Sequence, residues 1–411
     1  MDQRVSTTAL NRYHAFTASR VSIELPTVIG VLLLAIAGCA SLPKPQAPPV
    51  LTGEESVAVP PDRQLSDDQL RKQNARITIA GVGDIMLGTD FPENHLPDDD
   101  GVGFLGDVAP VLHAADIAFG NLEGVLTDGG KPEKQCGDLT ACYLFRSPTR
   151  YAAHLEQAGF DVVSLANNHA LDFGEEGRTS TMQALDTVGI RHSGREGDVA
   201  MWPAHGLNYC VIAFSPTRSS HSLLNLEPAI ALVAGLAADH DILIVSIHGG
   251  AEGVDGVERI PFGMEFAYGE KRGDVAQFAR AMVEAGADLV IGHGPHLPRA
   301  MELYRNRLIA YSLGNFATYY GISVTGPKGY VPILLATLDG TGKFLSGKIV
   351  SAIQVRPGGP LIDPEQKAYA MIVKLTELDF DGGSLFFAND GRFWPSDPRM
   401  WPLDDKLIAN P

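Results

Sequence analysis

The sequence runs DVVSLANNHALD from Asp161 to Asp172, and its first half predicts the fold. A short apolar and β-branched run bounded by polar residues is typical of a buried strand. The run ends in two amides, the imidazole of His169 and a carboxylate, which therefore lie at the carboxyl edge of a sheet, where open α/β sheets bind ligands. The alternative is that the amides and His169 cap the following helix and satisfy one another. This stretch by itself leaves both interpretations open.

Other apolar runs of the chain end in side chains of the same kind. These runs alternate with segments of helical periodicity, which predicts an α/β domain. Helices are expected near residues 105–115, 148–158, 175–188, 223–238, 274–285 and 364–375. The polar side chains at five strand ends are Asp84, Glu123, Asn168, His169, His248, His293 and His296.

These side chains are suited to binding metal. Carboxylates, amide oxygens and imidazoles are ligands for divalent ions such as Mn, Fe or Zn, and two such ions can stabilise both the attacking and the leaving oxygen of a displacement. His248 or His293 alone is more often a structural histidine, but a Gly-Pro turn between His293 and His296 can aim two imidazoles at one cavity. Because parallel strands bring their carboxyl ends to one rim of a sheet, the sequence predicts one shared metal site.

The composition is that of an ordinary globular protein, with 45% hydrophobic and 20% charged residues among 411. The formal net charge is −17, and lysine and arginine form no basic stripe. Since binding to a phosphate backbone requires clustered cations, nucleic acid is not expected as a partner.

Residues 1–38 resemble a bacterial lipoprotein signal peptide. Arginines precede an apolar run from Val28 to Ala37, which is too short to span a bilayer comfortably. Small residues lead directly to Cys39, so cleavage before Cys39 would leave it as a lipid-bearing N-terminus. The alternative is an ordinary signal peptide with an incidental cysteine. We therefore expect a lipid-anchored protein of the cell envelope that faces the periplasm, at the outer membrane.

Three further segments follow the signal peptide. Residues 39–75 are rich in proline and nearly devoid of aromatics, which predicts an extended tether. The folded domain is predicted at 76–325, and a β-rich extension packed on this core is predicted at 326–411.

The cysteines fit an oxidising compartment. Cys136 and Cys142 lie close together in a polar loop and are predicted to form a disulfide. Cys210 lies in an apolar run and is predicted to be a buried thiol.

Six motifs occur along the chain in a fixed order: GDIMLG at 83–88, NLE at 121–123, NNHALD at 167–172, HGGAE at 248–252, GHGPH at 292–296 and YSLGNF at 311–316. The ordered set resembles the CapA family, the bacterial poly-γ-glutamate capsule synthesis proteins of the calcineurin-like metallophosphoesterase superfamily. The resemblance covers about residues 76–322. It implies a four-layer α/β/β/α sandwich that holds divalent metal ions, two in number.

The resemblance also implies roles for individual residues. His169 matches the general acid, which Asp172 would orient. Met86 stands where the wider superfamily usually places a histidine ligand, and Gly249 where CapA proteins commonly have tryptophan. The implied metal ligands are Asp84, Glu123, Asn168, His248, His293 and His296. The candidates for substrate binding are Asn167, Glu252 and Asn315.

The expected function is a metal-dependent hydrolysis or transfer in capsule or exopolymer biosynthesis, acting on a phosphoester or a γ-glutamyl amide. The expected substrate is an anionic polymer or a phosphoester, and the expected partners are subunits of a membrane polymer synthase. Two alternatives are a non-catalytic subunit of such a synthase or export complex and a general periplasmic phosphoesterase. An acidic polymer would be repelled by this acidic chain unless metals or a local basic patch offset the charge.

Overall fold

The computed structural model of the chain describes residues 65–134, 143–253, 257–380 and 383–400. They belong to one compact unit that begins at Arg63. None of the helices in these ranges combines the length and apolarity that crossing a bilayer requires.

Three sequence predictions lie outside the described residues. They are the apolar run of the signal peptide, the lipidation of Cys39, and the pairing of Cys136 with Cys142. All three stay predictions.

The described residues form seven α-helices and 21 strands. The helices are α1 (Asp67–Asn74), α2 (Ala109–His113), α3 (Ala152–Gln157), α4 (Gly174–Thr187), α5 (Leu226–Asp239), α6 (Val275–Ala285) and α7 (Lys367–Asp379). The strands are β1 (Ile77–Met86), β2 (Ile117–Leu122), β3 (Val125–Leu126), β4 (Arg146–Ser147), β5 (Val162–Ser164), β6 (Arg191–Ser193), β7 (Ala200–Ala204), β8 (Leu207–Ser215), β9 (His221–Ser222), β10 (Ile242–His248), β11 (Glu265–Ala267), β12 (Glu270–Gly273), β13 (Leu289–His293), β14 (Met301–Tyr304), β15 (Arg307–Ala310), β16 (Asn315–Thr318), β17 (Tyr330–Leu338), β18 (Phe344–Gln354), β19 (Pro360–Ile362), β20 (Leu385–Phe387) and β21 (Arg392–Pro395). All six predicted helices are confirmed, with one or both ends of each shifted.

Two mixed sheets form the centre of the fold. The first has the order β20-β21-β18-β17-β1-β2-β5-β6, with β16 also paired to β1 and β19 to β18. The second has the order β14-β15-β13-β10-β8-β7, with β9 also paired to β8. In each sheet the strands that lead to the site run parallel, β1 with β2 and β16, and β10 with β13.

The two sheets pack face to face over a shared hydrophobic core. Ile79, Phe119 and Val162 from the first sheet belong to the same cluster as Val211 and Ile244 from the second. Because successive side chains of a strand point to opposite faces, the next residues along these strands leave this core for the outer faces.

Helices cover both outer faces. Leu112 of α2, Leu155 of α3 and Leu185 of α4 pack on the first sheet. Val233 of α5 and Met282 of α6 pack on the second, in the cluster that also contains Cys210. The predicted four-layer α/β/β/α sandwich is thus confirmed, and Cys210 is buried as expected.

The ends of the fold differ in detail from the predicted segments. Residues 67–74, placed in the tether by their composition, form α1, which a capping box of Ser66 and Gln69 begins. Lys72 of α1 forms an ion pair with Asp241 at 2.6 Å between Nζ and Oδ1. The segment 326–411 supplies β17, which pairs along β1. Its first strands are therefore central to the first sheet and not an appendage.

His192 on β6 provides a pH-dependent contribution to stability. Its Nδ1 lies 2.9 Å from Oδ2 of Asp198, and its Nε2 lies 3.3 Å from Oδ1 of Asp186. Burial lowers the pKa of His192, but these two carboxylates outweigh burial and raise it above 6.5. A raised pKa stabilises the protonated folded state, so the contribution is complete below about pH 6.5 and is lost as the pH rises through the folded-state pKa.

We expect His192→Gln to destabilise the protein more at about pH 5.5 than at about pH 8.5, for this reason. Urea unfolding at both pH values measures the difference in free energy of unfolding from wild type. His240→Gln is the control, because the ring of His240 bonds the carbonyl of Leu236. Equal destabilisation by His192→Gln at both pH values would contradict the prediction.

Candidate metal centre

The carboxyl ends of strands from both sheets meet at one place. Asp84 lies two residues before the end of β1 and pairs with Asn121 on β2 and Asn315 on β16. In the second sheet His248 and His293 are paired across β10 and β13. The two sets touch, because Nδ2 of Asn121 lies 3.2 Å from Nδ1 of His248. The strand-end argument from the sequence is therefore reproduced in the fold.

Asp84, Glu123 and His296 form the most compact group of potential ligands. One ligand atom from each lies within 4.8 Å of the other two, and all three residues are buried. Nδ1 of His296 is 2.9 Å from Oδ2 of Asp84, and its Nε2 is 3.8 Å from Oε1 of Glu123. His248 approaches the same Glu123 oxygen at 3.9 Å through Nε2.

The backbone at this site is held in unusual geometry. His296 has a φ of 60°, a left-handed conformation that costs energy for a residue with a side chain and is frequent at functional sites. Gly83, beside Asp84, has no room for a Cβ, since one would lie 2.0 Å from the carbonyl oxygen of Gly314. This close approach brings β1 against the turn that precedes Asn315.

The electrostatics of the three ligands depend on one another. Burial raises the pKa of Glu123 to about 8, although the charge of His296 opposes this. Burial lowers the pKa of His296, but the Glu123 charge and the Asp84 hydrogen bond together raise it to about 9. Burial raises the pKa of Asp84, yet the hydrogen bond and charge of His296 bring it down to about 2. The charges of the three groups are thus interdependent, and positive charge at the centre, from His296 or from a bound cation, stabilises the carboxylates.

These residues fit a divalent ion. Both carboxylate oxygens of Glu123 are buried and have no hydrogen-bond partner among the described residues, and the same holds for Oδ1 of Asn168 and Nδ1 of His293. A buried charge or acceptor without a partner is costly, whereas a metal ion satisfies several at once. The oxygen and imidazole donors suit Mn, Fe or Zn.

His169 and Asp172 lie beside this group as a hydrogen-bonded pair. Nδ1 of His169 is 2.7 Å from Oδ2 of Asp172, which also accepts from the backbone N–H of Phe145 at 2.8 Å. Nζ of Lys134 lies 3.3 Å from the other Asp172 oxygen and 3.3 Å from Nδ1 of His169. Burial lowers the pKa of His169, and Asp172 partly opposes this. The pair leaves Nε2 of His169 as the nitrogen that can serve a substrate.

In the helix-cap alternative for the DVVSLANNHALD stretch, the capping is wrong, although Asn167 and His169 do bond to each other. Helix α4 begins after Phe173 without any side-chain cap. Asn167 instead turns inward, where it donates to the Asn121 side chain at 3.2 Å and to the Leu122 carbonyl at 2.8 Å, and accepts from the His169 N–H at 3.0 Å.

The remaining predicted residues take different positions. Asn315 is buried and donates to three backbone carbonyls, including that of His296. His293 points Nε2 at the carbonyl of Val82, at 3.0 Å. Asn168 lines the same cleft as His169 and Glu252. The assignments of Asn167, Glu252 and Asn315 to substrate binding stay predictions.

The structure shows the surroundings of Met86 and Gly249, the two residues that depart from the family pattern. Met86 is buried, and its sulfur lies 3.3 Å from the backbone N–H of Gly88. A Cβ on Gly249 would lie 2.7 Å from the carbonyl oxygen of Arg272 and 2.6 Å from Cδ2 of Leu223. No side chain fits at Gly249, because the backbone of β12 occupies that space.

A wide cleft of about 1710 Å³ opens above the centre. Three acidic side chains line it, those of Glu133, Glu252 and Glu270. Five cationic side chains line it as well, those of Lys134, Arg218, Lys271, Arg272 and Lys328. On a chain with a net charge of −17, this cleft is a local basic patch.

Sequence reasoning missed three residues of the site. Asn121 donates to Asp84 at 2.9 Å and was detectable, because it lies two residues before Glu123 on the same strand end. Lys134 and Arg272 come from a loop and a hairpin whose positions no periodicity in the sequence indicates. Arg272 forms an ion pair with Glu252 inside the cleft.

Comparison with known proteins identifies relatives. The family model for "Bacterial capsule synthesis protein PGA_cap" matches residues 78–320. The capsule biosynthesis protein CapA of Bacillus anthracis is 28% identical over 281 residues, which are 63% of this chain and 64% of that protein. The PGA biosynthesis protein CapA of Bacillus subtilis (strain 168) is 28% identical over 303 residues, 69% of this chain and 72% of that protein. The chain thus spans somewhat less than two thirds of the Bacillus anthracis relative.

Two solved structures match this chain at lower sequence identity. A 5′-nucleotidase precursor from Thermus thermophilus has 13% identity and a TM-score of 0.36, covering 74% of this chain and 59% of that chain. The NAD nucleotidase of Haemophilus influenzae has 11% identity and a TM-score of 0.35, covering 73% of this chain and 63% of that chain.

Proposed function

Because the chain belongs to the bacterial capsule synthesis protein family PGA_cap, we propose that it is a metal-dependent hydrolase or transferase of capsule or exopolymer biosynthesis. Its substrate is an anionic polymer of the poly-γ-glutamate type, or a phosphoester, and the bond attacked is a γ-glutamyl amide or a phosphoester. The relatives carry capsule and PGA biosynthesis in their names, which supports the pathway.

The observation that carries the catalytic part of the proposal is the buried convergence of Asp84, Glu123 and His296. One or two divalent ions bound there would polarise the scissile group and activate water. Asp84 orients His296 through Nδ1, as carboxylates commonly do for metal-binding histidines. His169, whose Nδ1 Asp172 aligns, would donate a proton from Nε2 to the leaving group in its doubly protonated form.

The cleft supports an anionic substrate. Arg218, Lys271 and Lys328 line it and form no ion pair with any acidic side chain in the described part of the chain. Their charges are available to carboxylates or phosphates of a ligand, in a region where the acidity of the rest of the chain would otherwise repel it.

The cellular setting of the proposal comes from the sequence. The signal-like segment and Cys39 support a lipid-anchored, periplasm-facing protein, and the pathway supports subunits of a membrane polymer synthase as partners. Mass spectrometry of membrane fractions tests the anchor, since the mature N-terminus should be an acylated Cys39.

Met86 favours a second candidate function, that of a non-catalytic subunit. A buried thioether that contacts the backbone stands where the wider superfamily usually has a ligand, and thioethers are poor ligands for hard divalent ions. In that case the site would bind metal or polymer without turnover.

Two chromogenic compounds distinguish these candidates. Protein loaded with Mn²⁺ should release p-nitrophenol from bis(p-nitrophenyl) phosphate or p-nitroaniline from γ-glutamyl p-nitroanilide, and a chelator should abolish the release. The compound that is cleaved identifies the bond type. A metal-loaded protein that cleaves neither would favour the non-catalytic subunit.

A further inference from the structure

Glu252 reaches the metal centre from outside the strand ends. It follows β10 in the loop before the β11–β12 hairpin, and only 10% of its side chain is exposed. Its Oε2 lies 3.1 Å from Nε2 of His296, and its Oε1 is ion-paired with Arg272. Both carboxylate oxygens are therefore directed at groups of the protein and not at the open cleft.

The hydrogen bonds of His296 show which of its two ring nitrogens carries the hydrogen in the neutral ring. Its Nδ1 faces two acceptors, Oδ2 of Asp84 at 2.9 Å and Oδ1 of Asn315 at 3.2 Å. The Asn315 amide nitrogen already donates to three carbonyls, which fixes its oxygen toward His296. Nδ1 must therefore carry the hydrogen, and Nε2 is the nitrogen with the lone pair in the neutral ring.

Nε2 faces acceptors alone. Oε2 of Glu252 lies 3.1 Å away and Oε1 of Glu123 lies 3.8 Å away. Neither Glu123 oxygen has a hydrogen-bond partner in the described ranges. Nε2 and two carboxylates that converge in a buried space need a positive charge between them, and a divalent ion bound there would replace the proton on Nε2 and take its lone pair as a ligand.

Hydrogen bonds tie the two residues before Glu252 to the β11–β12 hairpin. The N–H of Ala251 donates to Oε2 of Glu265 at 2.9 Å, and Glu265 in turn forms a buried bidentate pair with Arg299, at 2.7 and 3.0 Å. The N–H of Gly250 donates to the carbonyl of Arg272 at 2.9 Å. Glu252 and its cationic partner are thus fixed to each other through the backbone as well as through their side chains.

We propose that Glu252 is a ligand of the divalent ion shared by Glu123 and His296, and that Arg272 is a positioning residue that holds the second Glu252 oxygen. The inference rests on the proposed metal-dependent function and deepens it. It assigns to the metal a residue that the sequence motif associates with substrate, and it makes the β11–β12 hairpin part of the metal site.

Binding of Mn²⁺ to the metal-free protein tests this assignment. Electron paramagnetic resonance of free Mn²⁺ gives the Kd without requiring turnover. Glu252→Gln should weaken binding roughly tenfold to a hundredfold, because it removes a charge and places an amide N–H against the His296 lone pair. Arg272→Met should weaken it about tenfold, the usual effect of losing an outer partner of a ligand.

Glu270→Gln is the matched control. Glu270 is an exposed glutamate on the same hairpin and lines the same cleft, so its loss changes the charge of the cleft without touching the ligands. Its Kd should stay within about twofold of wild type if the effect of Glu252 is coordination and not long-range charge. X-ray absorption of the Mn²⁺-loaded proteins should show a changed ligand shell in Glu252→Gln alone.

The outcomes separate the inference from the proposed function. Wild-type protein that binds no Mn²⁺ would overturn both. Wild-type binding with an unchanged Kd in both Glu252→Gln and Arg272→Met would overturn the inference and leave the proposed function standing. A loss of affinity in Glu270→Gln equal to that in Glu252→Gln would also overturn it. Thermal unfolding of the metal-free variants shows whether Glu252→Gln has a folding defect. If it has, the Kd of Arg272→Met for Mn²⁺ decides the inference.

Discussion

Replacing His296 with alanine is expected to reduce the metal content of the purified protein from about one or two divalent ions per chain to a small fraction of that. His296 is the residue through which the anionic groups of the centre are connected, since its two nitrogens face Asp84, Glu123 and Glu252. Without the imidazole, the remaining carboxylates repel one another and the ion loses a nitrogen ligand. Elemental analysis after exhaustive desalting measures the loss.

A buried histidine outside the site gives the matched control. His221 is about as buried as His296, and its described hydrogen bonds are with Gly197 and Ala213, so His221→Ala creates a similar void without removing a predicted ligand. It should leave the metal content unchanged. His248→Ala should lower the metal content as well, because His248 approaches the same Glu123 oxygen. Full metal content in His296→Ala would show that the strand ends do not form the site.

The strand-end pattern predicted that these side chains converge, and it did so for a physical reason; that they bind metal stays a prediction. A parallel strand that is buried on both faces must be apolar along its length, so polar side chains appear abruptly where the strand leaves the core. In β10 and β13 that change falls at His248 and His293, which the register pairs, whereas β1 continues through the buried Ile85 and Met86 after Asp84. The helices were predictable for a similar reason, since their apolar faces follow the helical period.

Pairings between distant segments were not predictable from such local patterns. Nothing in the sequence of β17 indicates that it pairs with β1, because antiparallel pairing between segments so far apart in the chain is decided by the packed core. For this reason β17, which belongs to the predicted extension at 326–411, lies in the middle of the first sheet. Helix α1 is different, because its capping box of Ser66 and Gln69 is a recognisable local signal that the proline-rich composition obscured.

The parts of the site that sequence reasoning missed come from loops and from contacts between side chains. Arg272 reaches Glu252 because β12 packs directly against Gly249, which has no side chain. This contact is visible only in the tertiary structure. Asn121 was assigned no role, although it belongs to the NLE motif at 121–123. Its actual contacts, with Asp84 and His248, join the two sheets.

Replacing His169 with alanine is expected to leave the metal bound and to reduce turnover by roughly a hundredfold on a substrate with a poor leaving group. The described contacts of the His169 ring are with Asp172, Lys134 and Phe145, none of which is a predicted ligand. Its loss therefore removes a proton donor and not a part of the metal site. Elemental analysis and steady-state kinetics on the same preparation measure the two effects.

The choice of leaving group makes this test specific. A weakly basic leaving group such as p-nitrophenolate departs without a proton, so His169→Ala should slow its release much less than the release of an alkoxide or amine. Asp172→Asn keeps the imidazole but loses the carboxylate that orients it at 2.7 Å, and should show the same dependence on leaving group with a smaller loss. If His169→Ala slowed good and poor leaving groups equally, His169 would be a binding residue, and the proton would have to come from elsewhere in the cleft.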